Sequence, residues 1–209
     1  MDSIEQRLRR ALADTHENEP RPLAELELPF GGDRWLTPTF MSSLRRAAVL
    51  APVVRRQQGY SMLLTRRSEA MNSHKGQISF PGGRRDEIDT SAAANALREA
   101  QEEVGLDPSQ VDVLGYLNDY PTISRYRVTP VVGLIDGGFT AVAAPAEVAE
   151  VFEIPMEIVL DPRAYQRKSL SREGLILPFY ELNWGGYRVW GATAGMLRDL
   201  CKRVHDNER

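Results

Sequence analysis

Apolar positions recur along this chain with two different spacings, and the spacings mark out its elements. Ile4, Leu8 and Leu12 fall on one side of residues 3–13, opposite an arginine-rich side, which predicts a short amphipathic helix. Residues 46–54 and 60–65 are apolar and β-prone, and the polar Arg55-Arg56-Gln57-Gln58-Gly59 separates them as a turn between two strands. Residues 66–75 are polar and read as a loop, and 77–80 as a short strand running into a turn at Pro81-Gly82-Gly83. The Ala-rich stretch that follows is composed of good helix formers. Thr90 or Ser91 is placed to cap its start, and Gly105, with Pro108 beyond, its end. Residues 111–120 and 127–135 predict two strands joined by a loop at 121–126, and Gly137-Gly138 break the chain. Residues 148–154 predict a short strand and 155–160 a short helix. Residues 167–170 and 175–182 pair as strands, and a turn at 184–187 leads to a strand at 188–190. A last helix at 192–204 turns Met196, Leu197 and Leu200 toward the core. Strands with a few helices interleaved predict an α/β sandwich with a mixed sheet.

Residues 16–42 fit neither spacing. They hold Pro20, Pro22, Pro29, Pro38 and Gly31-Gly32, which predicts an irregular arm. The glycines are not followed by Lys-Ser or Lys-Thr at the spacing of a phosphate loop. Residues 1–44 therefore read as a helix and arm packed on a domain at 45–209, and the arm is a candidate dimerisation element that would make the protein a homodimer. A chain of 209 residues, 42% hydrophobic, suits one sizeable core. The net charge of −3 carries no polybasic signature, so neither nucleic acid nor membrane is an expected partner. Cys201 is the single cysteine, and neither a secretory signal nor an apolar run of about 20 residues is present. A cytoplasmic protein is the expectation. Zinc spacing and a Gly-x-Ser-x-Gly elbow are both lacking, which excludes a zinc site and an acyl hydrolase of that type.

The chemistry concentrates on the helix after the Gly-Gly turn. Glu99, Glu102 and Glu103 fall within about one quadrant of its surface, away from an apolar face of Ala93, Leu97, Ala100 and Val104. Carboxylates at this spacing repel one another. A solvated acidic face tolerates that repulsion, whereas a hard divalent cation such as Mg²⁺ or Mn²⁺ turns it to use. Arg98, one turn before Glu102, can steady one carboxylate. Gly83, Arg98, Glu99, Glu102, Glu103, Gly105 and Leu106 together resemble the signature of the Nudix hydrolases. Asp89 stands where the family has a glutamate that orients the arginine, and eight residues rather than seven separate it from Arg98. The resemblance implies an α/β/α sandwich with a central mixed sheet, an enzyme that uses Mg²⁺ or Mn²⁺, Glu99 and Glu103 as principal metal ligands, and Glu102 as a further ligand or base. The Gly83 carbonyl can supply another oxygen. Glu147 is a candidate fourth ligand or base, with an ordinary surface glutamate as the alternative.

A second stretch adjoins the first. Thr65, Arg67, Ser68, Gly76 and Phe80-Pro81-Gly82-Gly83 resemble the signature of the coenzyme A pyrophosphatase branch of that family, with Asn72 where the branch has an arginine. Residues 147–152 and 190–195 carry further likeness, so the resemblance spans most of residues 45–200. It implies hydrolysis of the diphosphate of coenzyme A or its thioesters, a small-molecule nucleotide substrate. Arg66, Arg67, His74 and Lys75 are candidate contacts for its phosphates, with a solvated loop as the alternative for each, and Gly82 and Gly83 approach the substrate through backbone. Arg84-Arg85 and Arg55-Arg56 read as solvated pairs. The rival readings are the same chemistry on ADP-ribose, NADH or a dinucleoside polyphosphate, and a non-catalytic module that binds a nucleotide.

Overall fold

The apolar block after residue 44 becomes the strand on which the sheet is laid. The computed structural model describes residues 3–17, 38–71, 74–122, 124–172 and 175–208. In chain order they form α1 (Ile4–Leu12), α2 (Pro38–Ser42), β1 (Arg45–Arg56), β2 (Gly59–Arg67), β3 (Ile78–Ser79), β4 (Gly82–Arg84), α3 (Ala92–Val104), β5 (Val111–Tyr116), β6 (Tyr120–Pro121), β7 (Tyr126–Ile135), β8 (Val148–Pro155), α4 (Met156–Val159), β9 (Tyr165–Arg172), β10 (Leu175–Trp184), β11 (Tyr187–Trp190) and α5 (Gly191–Asp206). Most of the arm expected at 16–42 lies outside the described residues. No helix among those described is long and apolar enough to cross a membrane.

β1 runs parallel to β7 from Arg45 opposite Tyr126 to Val54 opposite Ile135. Its far half pairs antiparallel with β2, from Val53 opposite Met62 to Arg56 opposite Gly59. Its near half pairs antiparallel with β4, from Ala47 opposite Arg84 to Val49 opposite Gly82. The strands β1 and β2 thus diverge, and β4 enters on the side of β1 that β2 leaves. β3 and β8 pair with β2, and β5 and β6 with β7. One parallel pair among antiparallel ones makes the sheet mixed, as expected. The last strands form a separate antiparallel sheet, β9–β10–β11.

A strand that is apolar throughout needs cover on both faces, and β1 has it. Ala48, Leu50 and Val54 pack with Ala96, Ala100 and Val104 of α3. Ala51 and Val53 belong to the opposite layer, with Leu8 and Leu12 of α1 and Leu197 and Leu200 of α5. The result is an α/β/α sandwich. Ser91 caps α3, its Oγ accepting from the Ala94 N–H at 2.9 Å, and Gly105 closes the helix at φ 69°. The Glu17 carboxylate accepts from the first N–H of the same helix, that of Ala92, at 2.6 Å.

Boundaries differ from the sequence pattern in several places; β1, for one, runs on through Arg55 and Arg56, which that pattern puts in the turn. β2 continues through Arg66 and Arg67, because a sheet neighbour, not side-chain polarity, decides pairing: β8 and β3 lie along it. The Gly82-Gly83 segment is a strand, not only a turn. The strand expected at 111–120 ends at Tyr116, where Asn118 leaves the ladder to donate through its N–H and its side-chain amide to Asp199, at 3.1 and 3.2 Å. Pro155 ends β8 instead of opening the helix that follows.

Candidate active site

The site begins where β4 passes beneath α3. Gly82 sits at φ 152°, and a Cβ there would run into the Ala48 carbonyl and Val49. A Cβ on Gly83 would overlap the Glu99 carboxylate. Only glycine lets the strand lie this close to the acidic helix. The register on β1 holds it there, with the Leu50 N–H donating to the Pro81 carbonyl at 2.9 Å.

The three helix acids do not share one environment. The Glu102 side chain is 59% exposed, that of Glu99 15% and that of Glu103 3%. The sequence pattern set all three apart from the apolar face, but Glu103 lies in line with Ala96, Ala100 and Val104 and is buried with them. Burial pushes its carboxyl up to about 8; Arg67 and a backbone hydrogen bond from Gly82 pull the other way, and Glu99 and Glu147 add to the rise. Glu99 is also raised, by burial first, against the pull of Arg98. Glu103 Oε2 is buried without a hydrogen-bond partner, as is Nε of Arg67. The two side chains face each other, with Arg67 Nη1 at 3.7 Å from Glu103 Oε1.

Arg98 is the hub on the other side. Its Nε and Nη2 donate to the two oxygens of Asp89 at 3.0 and 3.1 Å, Nη2 also to Glu99 Oε1 at 2.8 Å, and Nη1 to Glu102 Oε2 at 3.0 Å. The shorter, shifted acid therefore does reach the arginine. A turn brings it there: the Asp89 N–H bonds the Asp86 carbonyl at 3.1 Å, and Asp89 Oδ2 accepts from the Asp86 N–H at 2.8 Å. Arg98, with the Asp86 amide, holds the Asp89 carboxyl below its ordinary range.

Glu147 comes from the segment after β7. The Ala144 N–H donates to the Glu103 carbonyl and the Val142 N–H to the Val104 carbonyl, both at 2.9 Å, filling two acceptors that the helix end leaves open. The Glu147 N–H bonds Ala144, and the Glu147 carbonyl accepts from the Ser68 N–H at 2.8 Å. The backbone thus brings Glu147 within electrostatic reach of Glu99 and Glu103, and its charge adds a small part to the rise of both.

The expected phosphate contacts divide. Arg67 lies in the site. Arg66 is held elsewhere, 2.7 Å from Glu150, which also accepts from the Tyr187 hydroxyl at 2.6 Å. His74 and Lys75 are exposed in the tight loop before β3, with His74 at φ 57° and its Nδ1 2.9 Å from Gln77 Oε1. Asn72 lies outside the described residues. Arg55 and Arg56, read as solvated, are engaged: Arg55 with Glu5 and Asp136, Arg56 with Glu153 and two carbonyls.

The donor set fits a hard cation, though not as the preformed triad expected from Glu99, Glu102 and Glu103. Among the described residues no three acidic, imidazole or thiol side chains are gathered as a cage. Arg98 draws Glu99 and Glu102 to itself, while Glu103 is turned to the buried side. The unpartnered Glu103 oxygen is the mark of fit, since a buried carboxylate without compensation is costly and a divalent cation compensates it. Glu99 and Glu103 are the residues best placed to hold one, with Glu147 within electrostatic reach of both.

An α/β/α sandwich that brings a Gly-Gly strand under an acid-bearing helix, with an Arg-Asp clamp, defines a site for anionic, metal-assisted chemistry. The NUDIX domain model matches residues 44–173. The chain is 44% identical over 164 residues, 77% of its length and 83% of the relative's, to an uncharacterized Nudix hydrolase, NudL, of Escherichia fergusonii. The same identity and coverage hold for the protein of that name in Escherichia coli K12. A MutT protein from Methanosarcina mazei has 20% identity and a TM-score of 0.48, covering 79% of this chain and 97% of that one. The chain belongs to the Nudix hydrolase family. It is a pyrophosphohydrolase of a nucleoside diphosphate derivative, and Nudix hydrolases generally use divalent metal ions.

Proposed function

We propose that this enzyme hydrolyses the diphosphate bond of coenzyme A or its thioesters, giving 3′,5′-ADP and 4′-phosphopantetheine or its acyl form. The observation that supports this reading is how the stretch resembling the coenzyme A branch joins the acidic site. Arg67 faces Glu103, and Ser68 bonds the backbone of Glu147. Residues of the substrate signature are thereby part of the structure that arranges the catalytic carboxylates.

In this reading Glu99 and Glu103 hold Mg²⁺ or Mn²⁺, with Glu102 as a further ligand or the base and Glu147 as a fourth ligand or the base. The cation supplies charge neutralisation on the diphosphate and activation of the attacking water. Arg67 turns the exposed part of its guanidinium to a phosphate oxygen, while Nη1 faces Glu103. Arg98 sets the directions of Glu99 and Glu102, and Asp89 sets that of Arg98. Gly82 and Gly83 meet the substrate through backbone, their missing side chains letting β4 lie against β1 and Glu99. Residues 1–44 act as an arm of the catalytic unit at 45–209, and sizing of the purified protein tests whether they join two copies.

Chromatographic product analysis with coenzyme A, acetyl-coenzyme A, ADP-ribose, NADH and diadenosine polyphosphates decides the substrate. The expected result is metal-dependent release of 3′,5′-ADP, faster than turnover of the others. Faster cleavage of ADP-ribose or a dinucleotide would overturn the coenzyme A reading. Asn72, in place of the branch's arginine, is what favours that second reading.

A further inference from the structure

Because β1 and β4 are antiparallel, with Ala47 opposite Arg84, the start of one and the end of the other meet at the same edge of the sheet. The chain carries Arg45-Arg46 at the first place and Arg84-Arg85 at the second. These four residues, with Asp86 and Glu87, line one open concavity of about 380 Å³. Four cations against two anions is a local excess in a molecule whose net charge is −3.

Among the described residues no carboxylate forms an ion pair with any of these four arginines, although the charge of Arg85 is felt at Asp89. Arg45 lies over the Tyr126 ring, 4.3 Å from its centroid, and stacking leaves the in-plane N–H donors of a guanidinium free. Arg85 donates Nε and Nη2 to the Asp89 carbonyl at 3.1 and 3.0 Å, which keeps one terminal nitrogen available. Among the described residues no acid pairs with Arg46 or Arg84. The contrast with Arg55-Arg56, where every guanidinium has a carboxylate, shows that this fold pairs adjacent arginines elsewhere. The concavity is also tied to the acidic site. The Arg84 carbonyl accepts from Asn95 Nδ2 of α3 at 3.2 Å. Arg84 follows Gly83, the residue beneath Glu99, and consecutive Cα atoms are about 3.8 Å apart.

A set of guanidiniums in excess over the carboxylates beside them, partly fixed by stacking and by carbonyl contacts, matches an anion with several acceptor oxygens and more than one charge. We propose that this concavity is a subsite for a phosphomonoester on the nucleotide half of the substrate. Resting on the coenzyme A reading, that group is the 3′-phosphate, and the subsite is what separates coenzyme A from its dephospho form.

The test compares kcat/KM for coenzyme A and 3′-dephospho-coenzyme A with the full chain and with Arg46→Gln, Arg84→Gln and the double variant, after thermal melts confirm folding. The expected wild-type preference for coenzyme A is about tenfold or more, the size of one charged hydrogen bond, and the double variant brings the ratio toward unity. Cleavage of both substrates with equal efficiency, or a preference that survives both substitutions, would overturn the subsite and leave the coenzyme A reading standing. If neither substrate is cleaved, calorimetric titration with 3′,5′-ADP, 5′-AMP and inorganic phosphate in chelator decides. Tighter binding of 3′,5′-ADP than of 5′-AMP, lost in the double variant, would keep the subsite and discard the coenzyme A reading. Equal binding of the two nucleotides, with inorganic phosphate bound alone, would mark a free-anion site and overturn the proposal.

Discussion

Glu103 carries opposite demands, and a single substitution separates them. Its carboxylate is buried with one oxygen unpartnered, so the metal-free fold holds it at a cost, while the proposed chemistry needs its charge. Glu103→Gln keeps the shape and removes the charge. The expected outcome is a fall in turnover of about 10²-fold or more, the scale of losing a catalytic acid–base or ligand group. In chelator, the melting temperature stays level or rises. Retained activity would remove Glu103 from the metal site. Asp89 makes a different case. It acts through Arg98, and Asp89→Ala is expected to cost about 1–3 kcal/mol and to lower kcat through misdirection of Glu99 and Glu102. Because Asp89 and Arg98 are one unit, the double variant with Arg98→Ala should lose less than the sum of the single losses, by about 0.5–3 kcal/mol. Strict additivity in denaturant melts would show that the clamp does not couple them.

The strand–helix contact at Gly83 belongs to the element scale. Gly83→Ala introduces a Cβ where the Glu99 carboxylate lies, so β4 or the Glu99 side chain must move. Loss of most activity with only a small fall in melting temperature is expected, since Glu99 is the flexible partner and the β1 ladder is not. A variant as active as wild type would show that Glu99 works from another position. How much of this could be read beforehand follows from the elements themselves. The helix α3 was legible because its caps, its composition and its acids agree, and Glu99, Glu102, Glu103 and Arg98 could be named from spacing. The strand β4 was not, because Pro-Gly-Gly lacks β propensity and pairs only where β2 leaves β1. The burial of Glu103 was hidden for a related reason: the helix lies rotated so that Ala92, Ala96 and Ala100 bear on the sheet, and Glu103 follows them. That Glu17 would cap α3, and that Arg45-Arg46 would meet Arg84-Arg85, depends on contacts between residues far apart in the chain, for which no local pattern exists.

At the scale of the whole molecule the acid limit of stability is expected to be set away from the active site, on the second sheet, where Glu181 has the most strongly lowered carboxyl among the described residues. Glu181 of β10 is 2% exposed and takes Lys168 Nζ and Arg188 Nε, each at 2.6 Å, and Asn183 Nδ2 at 2.9 Å. The hydrogen bond from Lys168, then that from Asn183, brings its carboxyl down to about 2. The ordinary value, 4.5, is that of the unfolded chain. A folded pKa below the unfolded one means that the unfolded chain binds the proton first. The stabilisation from Glu181 is therefore complete above pH 4.5 and is lost as pH falls toward 2. Both cations are about half in solvent, so the loss is about 1–2 kcal/mol after screening. Glu181→Gln should lower the denaturation midpoint at pH 7 and flatten its fall between pH 4.5 and 2.5. Parallel losses for the variant and the wild type over that window would place the acid sensitivity elsewhere. Asp89, whose carboxyl is held low by Arg98, is the next group to test. The two are separable because acid loss at Asp89 would carry the Arg98 clamp and activity with it, while loss at Glu181 loosens the β9–β11 sheet first.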